Sequence, residues 1–209
     1  MSKDKYIVAV DLDGVLWDLV NPWIEKYNKI TKEDVKVENL KSYQISKYVG
    51  HPGILWYLLE MNDFWDKVHP YEWTEEALSI LQSEENIELV VLTNTSYKVA
   101  LHKFKRLFEV LPMLKCENLI IAEKKNLIAA DYLIDDYENN LSNLRHGKGI
   151  LVTQPYNKAF PNTTYGIPRC QNVLDAAKWV IADIKKQNKE YDALIDSLAK
   201  IKAGVRKGK

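Results

Sequence analysis

The sequence predicts a doubly wound α/β fold: a parallel sheet of about five strands, covered by helices on both faces, with a small helical cap inserted after the first strand. Short apolar runs rich in β-branched residues carry this prediction. Each run is nearly continuous rather than alternating, which is typical of strands buried on both faces of a parallel sheet. The runs are Tyr6–Val10, Ile87–Leu92, Leu119–Ala122, Tyr132–Ile134 and Ile150–Val152.

The intervals between these runs supply the helices that such a sheet needs. The predicted helices are Glu75–Gln82, Tyr97–Phe108, Lys125–Ala130 and Val173–Lys186. Beyond Asp183 the chain is rich in lysine and has apolar residues at helical spacing, which predicts a terminal helix. These apolar residues are Ile184, Leu194, Ile195, Leu198 and Ile201. The sequence leaves open whether this stripe packs on its own domain or on a second subunit, as in a homodimer.

About 75 residues separate the first run from the second, more than a simple crossover needs. This interval contains the helical-looking stretches Leu19–Tyr27 and Ile54–Met61 and five of the six tryptophans. We interpret it as a cap over the carboxyl ends of the strands, although each tryptophan taken alone is better explained as core of the insertion. The chain then divides into an α/β core (residues 1–14 and 75–183), a cap (15–74) and a C-terminal helix with a basic tail (184–209).

Charge and composition exclude several classes of protein. The 29 Lys and Arg residues balance the 29 Asp and Glu residues, so no global field attracts polymeric nucleic acid or an anionic membrane. No apolar run approaches the ~18 residues that span a bilayer. The five apolar or aromatic residues before Asp11 are too few for the hydrophobic segment of a secretory signal. Cys116 and Cys170 have no CxxC spacing, which favours reduced thiols. We therefore expect a cytoplasmic protein in which any bound anion is held by local groups.

An acidic pair follows the first run, in the segment Asp11-Leu12-Asp13-Gly14. Because they are two residues apart, Asp11 and Asp13 fall on the same side of an extended chain. Paired carboxylates repel each other unless a cation lies between them, and hard oxygen ligands suit Mg²⁺. The alternative interpretation is an ordinary surface turn.

Further polar side chains follow later strands. Thr93 and Asn94 end the second run, at the sheet edge where doubly wound folds bind ligands. Lys125 precedes the fourth run, and Asp135 and Asp136 end it. An apolar strand that ends abruptly in two acids indicates a functional edge.

In this order, the four groups resemble the sequence motifs of the haloacid dehalogenase superfamily of phosphotransferases, over residues 6–152. The acids, Thr and Lys of signalling receiver domains come in a different order. Within the superfamily, the first motif, the spacing of ten from Lys125 to Asp135, the position of the cap and the turn Gln154-Pro155-Tyr156-Asn157 resemble the 5′(3′)-deoxyribonucleotidases. Tyr137 departs from the pattern, because members often have a basic residue after the acidic pair.

The resemblance implies a Mg²⁺-dependent phosphatase in which Asp11 attacks phosphorus and forms an aspartyl phosphate. It implies that Asp13 is the general acid and base. Mg²⁺ would be held by Asp11, by the backbone carbonyl of Asp13 and by Asp136, with Asp135 in support.

The same resemblance places Lys125, Thr93 and Asn94 against the phosphate of the substrate. Lys125 and the Thr93 hydroxyl would neutralise and orient the phosphoryl oxygens.

Aromatic residues of the cap indicate the rest of the substrate. The resemblance assigns Phe64 and Trp65 to the base, and Trp17 lies near the catalytic strand end. A flat nucleobase gains from aromatic faces. We therefore expect nucleoside monophosphates, in particular 5′(3′)-deoxyribonucleotides, as substrates. The alternatives are another small phosphate ester, such as a sugar phosphate, or a catalytically silent protein that binds phosphate or Mg²⁺.

Overall fold

A computed structural model describes residues 5–160 and 166–207. For Ile195 and residues 198–207 it describes the backbone only. Residues 1–4, 161–165 and 208–209 of the predicted core and tail lie outside the described residues. The described residues form strands β1 (Tyr6–Val10), β2 (Trp17–Asp18), β3 (His69–Pro70), β4 (Ile87–Thr93), β5 (Leu119–Ile121), β6 (Tyr132–Asp135), β7 (Lys148–Val152) and β8 (Arg169–Cys170). The predicted α/β fold is confirmed: six strands form a parallel sheet in the order β5-β4-β1-β6-β7-β8.

Helices surround this sheet, and three helices lie in the insertion after β1. They are α1 (Val20–Thr31), α2 (Pro52–Leu58), α3 (Asn62–Trp65), α4 (Thr74–Ser83), α5 (Tyr97–Val110), α6 (Glu138–Ser142) and α7 (Val173–Lys207). Within the described ranges, no helix is both long and apolar enough to cross a membrane. Cys116 and Cys170 are both free thiols, while the cytoplasmic location stays a prediction.

Several elements differ from the sequence predictions, among them β2, β3 and α6, which were not predicted. The sixth strand, β8, has only two residues and therefore no hydrophobic run to reveal it. The helix predicted at Lys125–Ala130 is wrong: a single 3-10 turn covers Lys125–Leu127, because Asp131 already donates its backbone N–H to Ile7. The last two predicted helices are one helix, α7, in which no proline or glycine precedes Gly204.

The sheet is buried on both faces. Alternate residues of the central strand β1 enter different layers: Val8 and Val10 belong to the larger apolar cluster and Ala9 to the smaller. The larger cluster lies under α4 and α7. Because β1 is bonded to β4 on one side and to β6 on the other, the ends of these three strands meet at the centre of one edge.

The insertion leaves and rejoins the core at adjacent points, because β2 and β3 pair antiparallel. The carbonyl of Leu16 accepts hydrogen bonds from the backbone of Tyr71 (3.1 Å) and the hydroxyl of Thr74 (2.6 Å). Inside the insertion, the indole N–H of Trp23 donates to the carbonyl of Leu55 at 2.6 Å, which ties α1 to α2. The insertion is therefore held by specific bonds at its base and within its helices.

Helix α7 is anchored to the sheet through Asp183. One oxygen of Asp183 accepts hydrogen bonds from the Tyr132 hydroxyl, the Lys148 ammonium and the Gln187 amide, each at 2.7 Å. Partial burial opposes the ionised form, but the three donors outweigh it and hold the pKa of Asp183 below its usual value. Further along the helix Leu194 is 55% exposed, and a homodimer contact there stays a prediction.

We expect Asp183→Asn to lower the free energy of unfolding by about 1–3 kcal/mol at neutral pH, because an amide oxygen accepts poorly from a charged ammonium. A carboxyl group whose pKa is depressed on folding stabilises the protein above its unfolded pKa of ~3.9 and loses that effect as pH falls through the folded pKa. Urea unfolding near neutral pH and at about pH 3 should thus show a difference that shrinks with acidity. Asp192→Asn, on an exposed position of the same helix, is the control. An equal loss at both pH values would contradict the ionic role.

Candidate active site

The site begins where β1 ends. The backbone N–H of Asp11 donates to Ile134 of β6 at 2.8 Å, so the chain is still paired with the sheet at this residue. The N–H of Leu12 donates to Asp11 Oδ1 at 2.7 Å, which fixes the carboxylate. Gly14 then takes a left-handed conformation (φ 76°) that turns the chain toward the insertion. This geometry presents Asp11 at the centre of the sheet edge.

A buried lysine bridges two of the predicted acids. Lys125 Nζ lies 2.6 Å from Asp11 Oδ1 and 2.8 Å from Asp135 Oδ2, and all three side chains are buried. Burial opposes the lysine's charge, but the two carboxylates outweigh it and raise the pKa of Lys125. Burial also raises the pKa of Asp11 to about 7; Lys125 opposes this rise, and the nearby carboxylates of Asp135 and Asp13 add to it. One lysine therefore cannot neutralise the negative charge of all these carboxylates.

Asp136 completes the acidic group. The Tyr156 hydroxyl donates to its Oδ2, while its Oδ1 is buried and has no hydrogen-bond partner among the described residues. Burial, with the charges of Asp11 and Asp135, raises the pKa of Asp136 well above its usual value. A buried carboxylate oxygen without a donor is costly, and a cation would satisfy it.

The acidic group fits a divalent cation. Asp11, Asp135 and Asp136 each offer an oxygen, and these oxygens lie within 4.8 Å of one another. The oxygens of Asp135 already accept from Lys125, from the backbone of Tyr137 and from the Asn140 amide. Asp11 and Asp136 are therefore the better placed ligands, with Asp135 holding the surrounding network. Hard carboxylate oxygens in this number suit Mg²⁺.

A second buried lysine was missed by the sequence analysis. Lys103 of α5 is 2% exposed, and its Nζ lies 2.5 Å from Asp13 Oδ2, 2.9 Å from Thr93 Oγ1 and 3.0 Å from the Asn94 carbonyl. The signal was present in the sequence: Lys103 lies four residues from both Val99 and Leu107, on the apolar face of its helix. A lysine on the buried face of an amphipathic helix requires a partner.

Asp13 is held from both sides. Besides the contact with Lys103, its Oδ1 accepts a hydrogen bond from the indole of Trp17 at 2.7 Å. The structure thus brings the first predicted motif and the Thr93–Asn94 strand end together through Lys103. This arrangement leaves the carboxylate of Asp13 oriented at the floor of a cavity.

A cavity of about 720 Å³ lies above these groups, between the insertion and the sheet edge. Its floor includes Asp13, Lys103 and Asp136, and residues 94–99 form the wall on the core side. The wall on the insertion side is rich in aromatic and apolar residues: Trp23, Tyr43, Ile45, Trp56, Leu59 and Trp65. The cavity therefore combines a charged floor with an aromatic wall.

Of the three aromatic residues predicted to contact a base, Trp65 lines this cavity, with its indole N–H bonded to the Leu59 carbonyl at 2.9 Å. Trp17 and Phe64 are fully buried and lie behind it, with ring centroids 5.8 Å and 5.3 Å from that of Trp65. They support Trp65 instead of forming the cavity surface. Trp56, which is 54% exposed and was not singled out from the sequence, lines the cavity directly.

Solved structures share this fold. A HAD family hydrolase from Deinococcus radiodurans, solved with bound phosphate and sodium, superimposes with a TM-score of 0.61 at 12% identity, covering 88% of this chain and 97% of that one. A hydrolase from Pseudomonas syringae gives a TM-score of 0.55 at 15% identity, covering 85% and 99% of the two chains. At these identities the likeness concerns the fold alone.

Sequence relatives are more specific. The chain is 31% identical over 158 residues to a 5′(3′)-deoxyribonucleotidase of Clostridium acetobutylicum, covering 75% of this chain and 86% of the relative. It is 28% identical over 155 residues to a 5′(3′)-deoxyribonucleotidase of Bacillus subtilis, covering 74% and 88%. Residues 5–185 match the family model for the 5′ nucleotidase, deoxy (pyrimidine), cytosolic type C protein. With this match over most of its length and a site of the expected motifs, the chain belongs to the deoxy (pyrimidine) cytosolic type C 5′-nucleotidases, phosphoric monoester hydrolases of the haloacid dehalogenase superfamily.

Proposed function

We propose that this protein is a Mg²⁺-dependent phosphatase that hydrolyses nucleoside monophosphates, with 5′(3′)-deoxyribonucleotides as its substrates, through an aspartyl phosphate. One observation carries the proposal: a buried group of carboxylates, only partly neutralised by Lys125, lies beneath a cavity with an aromatic wall. The names of the relatives from Clostridium and Bacillus agree with it.

Asp11 and Asp136 would hold the Mg²⁺ ion, with the Asp13 carbonyl as the third protein ligand that the family resemblance implies. When bound, the ion supplies positive charge that offsets the repulsion between the Asp11 carboxylate and an anionic phosphate. Asp136 Oδ1, which is buried and has no hydrogen-bond partner within residues 5–160 and 166–207, supports this assignment.

The reaction has two steps, in which each residue of the site has its own role. The Asp11 carboxylate attacks phosphorus while Asp13 donates a proton to the departing ester oxygen, which leaves with the bonding electron pair. In the second step Asp13 accepts a proton from water as the water oxygen attacks the aspartyl phosphate, releasing phosphate and restoring Asp11. Lys125 and the Thr93 hydroxyl hold the negative phosphoryl oxygens during both steps, while Lys103 holds Asp13 and Thr93 in place.

The aromatic wall supports a base-containing substrate. Trp65 and Trp56 line the cavity, and stacking of a base on an aromatic ring is worth ~1–3 kcal/mol in nucleic-acid binding proteins. A sugar phosphate would leave this apolar wall without a partner. A deoxyribonucleotide covers it and places its phosphate on the charged floor.

We expect a deoxyribonucleoside monophosphate to be hydrolysed with a higher kcat/KM than a pentose phosphate, and Trp65→Ala to reduce that advantage about tenfold through the loss of stacking. Phosphate release should be measured with Mg²⁺ and with a chelator, on both substrates and on a small aryl phosphate. Trp179→Ala, on α7 and outside the cavity lining, is the matched control.

The outcomes separate the candidate functions. Equal losses on all substrates would make Trp65 a structural residue of the insertion. A preference of the parent protein for the pentose phosphate would favour a sugar phosphatase. Absence of Mg²⁺-dependent hydrolysis across the panel would favour a silent binding protein.

A further inference from the structure

A tyrosine in the turn after β7, one of the features that carry the family resemblance, lies directly against the acidic group. Tyr156 is in the 3-10 turn Pro155–Asn157 after β7 and is 3% exposed. Its hydroxyl donates to Asp136 Oδ2. The ring of Tyr43 packs edge-on against the ring of Tyr156, with 5.9 Å between the ring centroids. Since a tyrosine hydroxyl donates one hydrogen bond, Tyr156 satisfies one oxygen of Asp136, and Oδ1 has no partner in the part of the chain that the structure describes.

The turn that carries Tyr156 is fixed at both ends. The Gln154 amide donates to the Gly14 carbonyl at 2.6 Å, which ties the turn to the loop after β1. The Asn157 amide donates to the backbone carbonyls of Asp136 and Val152, each at 2.8 Å. These bonds hold the Tyr156 hydroxyl beside the carboxylate of Asp136.

Gly14 makes room for this pair. A Cβ atom at position 14 would collide with Asp136 Oδ2 and would lie 2.5 Å from the Tyr156 hydroxyl oxygen. The absence of a side chain here therefore serves two purposes: it permits the positive φ of the turn, and it lets the tyrosine and the carboxylate meet beside the end of β1.

We propose that Tyr156 is a positioning residue for Asp136: by holding Oδ2 it fixes the rotation of the carboxylate and presents Oδ1 to the divalent cation. This inference rests on the Mg²⁺ dependence in the proposed function. Groups that bond to metal ligands orient them, and their removal lowers metal affinity about 10–100-fold. Tyr156 acts through Asp136 and needs no contact with phosphorus.

Tyr156→Phe removes only the hydroxyl. Titration calorimetry with MgCl₂ alone should show a Kd about tenfold or more above that of the parent, and the Mg²⁺ concentration for half-maximal activity should rise in parallel. At saturating Mg²⁺, kcat should stay within about threefold. Tyr71→Phe is the matched control, because the Tyr71 hydroxyl contacts the same turn at Gln154 (3.2 Å) and not Asp136. Its Mg²⁺ affinity should equal that of the parent.

A double variant distinguishes an effect through Asp136 from a general loss of stability. If Tyr156 acts through Asp136, the effects of Tyr156→Phe and Asp136→Asn on Mg²⁺ affinity should not add in the double variant. An unchanged Kd in Tyr156→Phe, or additive effects in the double variant, would overturn the inference while leaving the proposed function intact. A parent that binds no Mg²⁺ would overturn both. A parent that binds Mg²⁺ but hydrolyses no nucleotide would overturn the proposed function alone, because the calorimetric test still applies.

Discussion

Asp11→Asn should lower the turnover of every phosphate ester by about a thousandfold or more, because an amide is a far poorer nucleophile than a carboxylate. The fold should persist, since the two side chains are nearly isosteric. Removing one charge also relieves repulsion among buried carboxylates, the same crowding that contributes to the raised pKa of Asp11. Thermal unfolding should therefore show a stable variant without activity.

Rapid quenching of the parent reaction should trap phosphate bound to the protein, and the Asp11→Asn variant should trap none. Asp66→Asn, an exposed aspartate of the insertion, is the control for the substitution itself. Turnover within tenfold of the parent would exclude Asp11 as the nucleophile.

Lys125→Met should reduce kcat/KM about a hundredfold or more, by analogy with the loss of one preorganised electrostatic contact. Stability should fall as well, by about 3–5 kcal/mol, because Asp11 and Asp135 would remain buried without their shared cation. The pKa of Asp11 would rise further once the opposing charge is gone. Since Asp11 must be ionised to attack, the activity deficit should grow as pH falls.

Lys124→Met is a closely matched control, because Lys124 is the exposed neighbour of Lys125. Steady-state rates at several pH values and urea unfolding would compare the two variants. Full activity in Lys125→Met with a severe loss in Lys124→Met would move the phosphate contact to Lys124. A constant deficit at every pH would contradict the electrostatic link to Asp11.

The parts of the fold that followed from sequence are those with a local physical signal. Strands buried on both faces need continuous apolar runs, so β1, β4 and β6 were visible as such. The two-residue strand β8 has no comparable run. The segment after Lys125 looked helical, yet its course is decided by the pairing of Asp131 with β1, a contact between residues more than 120 positions apart.

The site likewise contains residues that the sequence predicts and residues that it does not. Asp11, Thr93 and Asp135 come directly after or at the ends of neighbouring strands, and parallel pairing brings such positions to one edge whatever the rest of the chain does. Lys103 and Tyr156 reach that edge from a helix face and a turn, so their positions depend on tertiary packing.

The aromatic residues show a related limit. Residue type alone does not tell which side of a short helix faces a cavity. Phe64 and Trp65 are neighbours in α3, and one is buried behind the other.

The pairing of β2 with β3 bears on how the chain folds. Bringing β1 to β4 closes a loop of about 75 residues, and each doubling of a loop's length adds roughly 0.6 kcal/mol of entropic cost. Compared with a crossover of about 25 residues, the insertion thus adds only about 1 kcal/mol. Once the two short strands meet, the insertion becomes a closed excursion whose ends are already side by side. Its length can therefore vary at little cost to the assembly of the sheet, so the aromatic wall can be extended or shortened while the charged floor stays in place.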